Sequence, residues 1–172
     1  MNELNDCKRN NAFQGGDGRE YITFSLNEET YAFDVLHVQE IIELTSVTKV
    51  PHLPEYLKGV INLRGTIIPV IDLKQKFGMA CGEYKKHTCI IVSEFSRGVM
   101  GLIVDTVSDI LTMSPDTISA SPEFGSSINT GFIAGMGRTA DGLVLVLDVD
   151  KVLTADESLV VANVAHSNNQ EL

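Results

Sequence analysis

Cys81, His87 and Cys89 are the residues of this chain best suited to hold a soft metal ion. Structural zinc takes four such ligands in two close pairs, and no second pair is present. Gly131, Gly135 and Gly137 follow the spacing G-x-x-x-G-x-G. That is neither a dinucleotide fingerprint nor a P-loop, and no Lys-Ser or Lys-Thr follows it. These glycines are expected at tight turns and close backbone approaches. Asp72, Asp105 and Asp148 are the carboxylates an enzyme or a small-molecule-binding barrel would draw on. Such a site would also need a polar pocket and either a nucleophile with its base, a metal cluster or a phosphate cradle. His37, His52 and His166 are scattered, and Asp148 with Asp150 reads as the start of a helix, where Asp favours the first turn. The expectation is no catalytic residue, no metal and no cofactor.

The most distinctive segment runs from Lys58 to Leu73, with two apolar stretches flanking Arg64-Gly65. Gly65 supplies the positive φ a tight hairpin turn requires. Pro69 has no N–H to give a ladder, so its strand is expected at a sheet edge or beside a bulge. The planar fork of Arg64 suits a carboxylate, either Glu40 of this chain or one on a partner. The plainer reading is a solvated turn residue.

These residues must be positioned by a chain of 172 residues, enough for one ordinary domain or two small ones sharing a core. Asp and Glu number 23 against 13 Lys and Arg, a net charge of −10. Nucleic-acid binding draws most of its affinity from basic side chains on phosphates, and anionic lipid needs the same sign, so the charge argues against both partners. No run approaches the roughly 20 apolar residues of a membrane span. The N-terminal stretch is polar, without the apolar core of a secretory signal. A cytoplasmic protein with no direct membrane insertion is expected. Cys7, Cys81 and Cys89 show no C-x-x-C spacing, so no disulfide framework is expected.

Between a polar tail over 1–18 and a tail over 155–172, with a short helix at Ser158–Ala162, the pattern is of strands. Residues 21–26 and 31–35 alternate around Asn27-Glu28-Glu29-Thr30, which predicts a hairpin. Residues 88–92 and 99–104 repeat it around Phe95-Ser96-Arg97-Gly98. The likeness continues beyond the turns. Val35–Ile41 matches Val104–Ile110 at an offset of 69; Gly59-Val60-Ile61 matches Gly131-Phe132-Ile133 at 72; Val70–Leu73 matches Val146–Val149 at 76. Each half is too small to be stable alone. The fold class predicted is all-β: two small antiparallel barrels, roughly 21–79 and 88–154 and open to intertwining, packed on a shared hydrophobic core. Short helices are expected at Val38–Glu43, where β-branched neighbours compete for strand, and at Pro54–Leu57, Leu73–Phe77 and Val149–Leu153.

Several motifs in order carry a family resemblance. Tyr31-Ala32-Phe33-Asp34-Val35, Val38-Gln39-Glu40-Ile41, Lys58–Gly65, Pro69-Val70-Ile71-Asp72-Leu73, Gly101–Leu111 and Pro122-Glu123-Phe124 together resemble the CheW family of bacterial chemotaxis, over roughly residues 19–154. The resemblance implies two SH3-like five-stranded barrels and a non-enzymatic adaptor. It implies two partners, the cytoplasmic tips of chemoreceptors and the regulatory domain of a CheA histidine kinase, met in membrane-associated receptor arrays. A related adaptor in a non-flagellar pathway fits the same motifs. The stretch after 154 is too short for an appended receiver domain. Carried over by position, the receptor-binding groove comprises Ile22, Val35, Val38, Ile41 and Val107, with Glu40 and Arg64 as the polar pair beside it. Ser108 stands where an apolar residue would also suit. No kinase-binding residue is assigned. Val38→Asp is expected to remove receptor binding and spare the fold, and Arg64→Ala to lose signalling coupling at little cost in stability.

Overall fold

The computed structural model describes residues 18–114, 118–119, 131–140 and 142–170. Cys7, the rest of the N-terminal tail and Pro122-Glu123-Phe124 lie outside them. Arg19–Leu26 forms β1 and Glu29–Asp34 forms β2. A 3-10 turn, Val35–His37, leads into β3, Val38–Glu43. Then come β4 (Leu57–Leu63), β5 (Thr66–Asp72) and a single helical turn, α1 (Leu73–Lys76). The second half gives β6 (Cys89–Phe95), β7 (Gly98–Val104), β8 (Thr106–Met113) and β9 (Ile118–Ser119). It ends with β10 (Ile133–Thr139), β11 (Gly142–Leu147), a 3-10 turn (Val149–Lys151) and α2 (Ala155–Gln170).

The strand orders are β8-β1-β2-β11-β10-β9 and β3-β6-β7-β5-β4. Laid side by side, they equate β8 with β3, β1 with β6, β2 with β7, β11 with β5 and β10 with β4. Those are the pairs related by the sequence repeats. The hairpins stay home while the strands after them change sheets: β3 leaves β2 to pair with β6, and β8 leaves β7 to pair with β1. Each sheet therefore draws on both halves of the chain. Within each, a distant strand fills the vacated edge in parallel, β11 beside β2 and β5 beside β7. All other pairs are antiparallel.

Both sheets curl until one outer strand approaches the far end of the same sheet. In the first, Met113 of β8 reaches β10, where a Cβ at Gly137 would lie 2.6 Å from its sulfur. In the second, the chain leaving β3 bridges to β4: Thr48 and Val60 exchange N–H···O bonds of 2.8 and 2.9 Å. A Cβ at Gly59, whose φ is +147°, would fall 2.0 Å from the Thr48 carbonyl oxygen, so only glycine fits there. The curled interiors are separate apolar clusters, Tyr21, Ala32, Met113, Val144 and Val146 in one, Ile61, Ile68, Val70, Ile90, Val92 and Ile103 in the other. A third and larger cluster lies between the sheets, centred on Phe24, which stacks on Tyr31 and Phe33.

Three local expectations change. Val38–Glu43 is a strand, because pairing with β6 lets its β-branched side chains pack on a pleated surface. Pro54–Leu57 is a turn closed by Leu57 N–H on the Pro54 carbonyl. Pro69 lies in an internal strand and not at an edge; the bulge that was the other expectation is present beside it, with Lys58 of β4 the extra residue between the Gly59–Val70 and Leu57–Ile71 pairs. Val60 gives both its backbone groups to Thr48, so the Val60–Pro69 pair is not hydrogen-bonded, and pairing with β7 starts only at Val70. Its missing N–H therefore interrupts no ladder. The expected turn at Leu73 is present, capped by Asp72 as Asp148 caps its counterpart.

Candidate functional site

Val38 and Ile41 are three residues apart, a spacing that in a regular strand puts side chains on opposite faces. A bulge reconciles them. Val38 pairs with Ser93 and Glu40 with Val92, so Gln39 is an extra residue with no partner on β6. The alternation is shifted by one, and both Val38 and Ile41 face the cluster between the sheets. The same device recurs in β8. Ile110 pairs with Ile22 and Val107 with Phe24, leaving Ser108 and Asp109 opposite Thr23 alone. The Thr23 hydroxyl donates to the Asp109 carbonyl at 2.9 Å and accepts from its N–H at 3.0 Å, which satisfies the loosened backbone. The offset of 69 maps Val38 onto Val107, Gln39 onto Ser108 and Ile41 onto Ile110. Two outer strands, one from each sheet, thus turn a V-x-x-I pair toward the shared core, with a polar, exposed bulge residue behind each.

Depth divides the sequence-derived residues. Ile22, Val35 and Val38 are buried in the shared core, while Ile41, Val107 and Ile110 are half-buried against it. Ile110 was not among the residues expected, although the repeat that relates Ile41 to it is legible in the sequence. Leu36, in the turn between β2 and β3, is 79% exposed. Ser108 is the exposed bulge residue, which explains why an apolar side chain is not required there. A cleft of ≈ 350 Å³ is lined by Glu43, Lys86, His87, Cys89, Thr106 and Val107. Burial pushes the Cys89 thiol pKa up, and a backbone hydrogen bond from Val107 works against that.

Glu40 and Arg64 form a bidentate pair, Nη1–Oε1 and Nη2–Oε2 both 2.7 Å. Arg64 stands in the β4–β5 turn with φ +52°, beside Gly65 at +87°, the left-handed pair that a two-residue hairpin turn requires. Its side chain is 74% exposed, whereas Glu40 is 7% exposed. The hydrogen bonds and charge of Glu40 raise the guanidinium pKa above its ordinary value. Glu40 shares the Val92 face of β3, opposite to Ile41 and Ile91. The pair therefore ties one outer strand of the second sheet to the β4–β5 tip, on the far side of β3 from the V-x-x-I groups.

The chemical donors stay apart. The thiols of Cys81 and Cys89 donate to different carbonyls, Met79 and His87. Among the described residues no three His, Cys, Asp or Glu side chains cluster as a metal site would need. No helix among them is long and apolar enough to cross a membrane.

The architecture has close parallels. Residues 20–157 match the family model of the CheW-like domain. A chemotaxis protein CheW of Klebsiella aerogenes is 38% identical over 151 residues, 88% of this chain and 91% of that one. One from Thermotoga maritima is 34% identical over 137 residues, 78% and 87% of the two chains. The crystal structure of the scaffolding protein TtCheW from Thermoanaerobacter tengcongensis superposes with a TM-score of 0.75 at 35% identity, covering 81% of this chain and 95% of that one. A domain match over most of the residues, relatives at this identity and a shared fold lead to one conclusion: the chain belongs to the CheW-like family.

Proposed function

We propose that this protein is a chemotaxis adaptor that receives the helical signalling tip of a chemoreceptor between β3 and β8, and a CheA-type histidine kinase regulatory domain elsewhere on its surface. The family is one of scaffold proteins, not of enzymes. The observation that carries the reading is the pair of matched bulges. They set Ile41 on one wall and Val107 and Ile110 on the other, half-buried and facing one shared core. A helical partner engages a groove through anchors spaced at three and four residues. Ile22, Val35 and Val38 then form the floor, and Glu40 with Arg64 holds the β3 wall from behind. Recruitment to membrane-associated receptor arrays follows from the partner, and modest affinities would be multiplied by repeated contacts.

Titration calorimetry with a receptor-tip fragment tests the groove. Burying one aliphatic anchor is worth about 1.5–3 kcal/mol, so Ile110→Ser is expected to weaken tip binding by about tenfold or more while kinase-domain binding holds. Unchanged tip affinity in the folded variant would exclude β8 as a wall.

A further inference from the structure

Asp105 is the single residue between β7, in the second sheet, and β8, in the first. Its N–H donates to the Ser25 carbonyl at 3.1 Å. Its Oδ2 accepts from the Asn27 N–H at 2.8 Å, and its Oδ1 meets Lys74 Nζ at 2.8 Å. The same ammonium reaches the Asn27 side-chain oxygen at 3.5 Å, and the Asn27 amide donates to the Ala80 carbonyl. Beside them the Ser25 and Thr106 hydroxyls are 2.7 Å apart. These contacts join α1, the β1–β2 turn, the segment after α1 and the sheet-to-sheet crossover along a cleft of ≈ 680 Å³.

Lys74 is 8% exposed. Lysine is almost never sunk this far without a partner, because its ammonium loses hydration that only a paired charge replaces. Here the partner is the residue that sets where β8 begins, and Val107 follows two positions on. The other crossover is built differently. The offset of 69 maps Asp105 onto Leu36, an exposed side chain in a 3-10 turn. One wall is thus anchored by an ion pair between the buried Lys74 and the half-buried Asp105, and the other by a turn.

We propose that Lys74 is a positioning residue for the groove: acting through Asp105, it fixes the start of β8 and with it the separation of Val107 and Ile110 from Ile41. This rests on the groove reading above. The test uses the full chain as Lys74→Met, Asp105→Asn and the double variant. Amide hydrogen exchange, tip-fragment titration and thermal melting are read on each. The expected result for either single variant is exchange about tenfold faster at residues 106–110, with β4 and β5 unchanged, and tip binding about tenfold weaker. The double variant is expected to be no worse than the weaker single, since both remove one linkage.

Tip affinity within about twofold of wild type in folded Lys74→Met, uniform loosening of all strands, or additive losses in the double variant would each overturn the proposal. Should Lys74→Met fail to fold, Asp105→Asn decides by the same readouts. Should the wild-type chain bind no tip, the groove reading fails and the exchange pattern alone decides. Loosening confined to 106–110 then upholds the positioning role, and any other pattern ends it.

Discussion

Arg64 is mostly in water, but the carboxylate it holds is not. Removing the guanidinium strips Glu40 of both its hydrogen bonds at a site that is almost closed to solvent, and a buried unpaired charge is costly. Arg64→Ala is therefore expected to lower the melting temperature by several degrees, contrary to the small cost that exposure alone implied. Adding Glu40→Gln should recover most of the loss, as differential scanning calorimetry would show. Val38 also behaves differently from its sequence reading. At 8% exposure in the shared core it is not a free groove side chain. Val38→Asp would bury an unpaired carboxylate at a cost of several kcal/mol, so loss of the cooperative melt is expected rather than a folded, non-binding variant. The family resemblance supplies these residues by position; it does not supply their depth. Periodicity specifies a face only when the register is regular, and the extra residue at Gln39 is visible only once β6 is paired with β3.

Among the elements, α2 is the largest departure from expectation, four turns where a short helix at Ser158–Ala162 was read. Among its described side chains the inward positions are Glu157, Ser158, Val161, Ala162, Val164 and Ala165, and only Val161 and Val164 of these are large apolar groups. A weakly apolar face gives little periodic signal, and specific contacts hold the helix instead. Thr154 and Glu157 cap each other, Oγ1 accepting from the Glu157 N–H and Oε1 from the Thr154 N–H. Lys76 of α1 lies 3.2 Å from the same carboxylate and over the Tyr56 ring. Burial raises the Glu157 pKa, but the Thr154 backbone and Lys76 outweigh it and bring it below the ordinary 4.5. Burial first, then the Glu157 charge, pushes the Tyr56 phenol up to about 12. A carboxyl depressed in the folded state contributes stability above its unfolded pKa and loses it as pH falls through the folded value. Amide protection of α2 is thus expected to be constant above pH 4.5 and to drop below it, ahead of the sheets. Glu157→Gln should flatten that dependence, and an unchanged profile in that variant would remove Glu157 from the docking of α2.

At the scale of the whole molecule, the repeats announced two similar sheets and did not announce the exchange between them. The offsets of 69, 72 and 76 relate equivalent strands, yet nothing local in the V-x-x-I segments states which hairpin each will join. That choice is made by burial. By sending β3 to β6 and β8 to β1, the chain builds one core from both repeats, and each outer strand carries apolar groups to the seam. On the proposed function, the arrangement gives an adaptor two sheets joined by one core, with the tip-binding groove at their seam and their outer surfaces left for a second partner. The most direct measurement is size-exclusion chromatography with light scattering of the full chain, a receptor-tip fragment and a CheA regulatory domain, separately and together. The expected result is two binary complexes and one ternary complex, with Ile41→Ser plus Ile110→Ser losing the tip and keeping the kinase domain. A folded double variant that still carries the tip into the ternary complex would contradict the account.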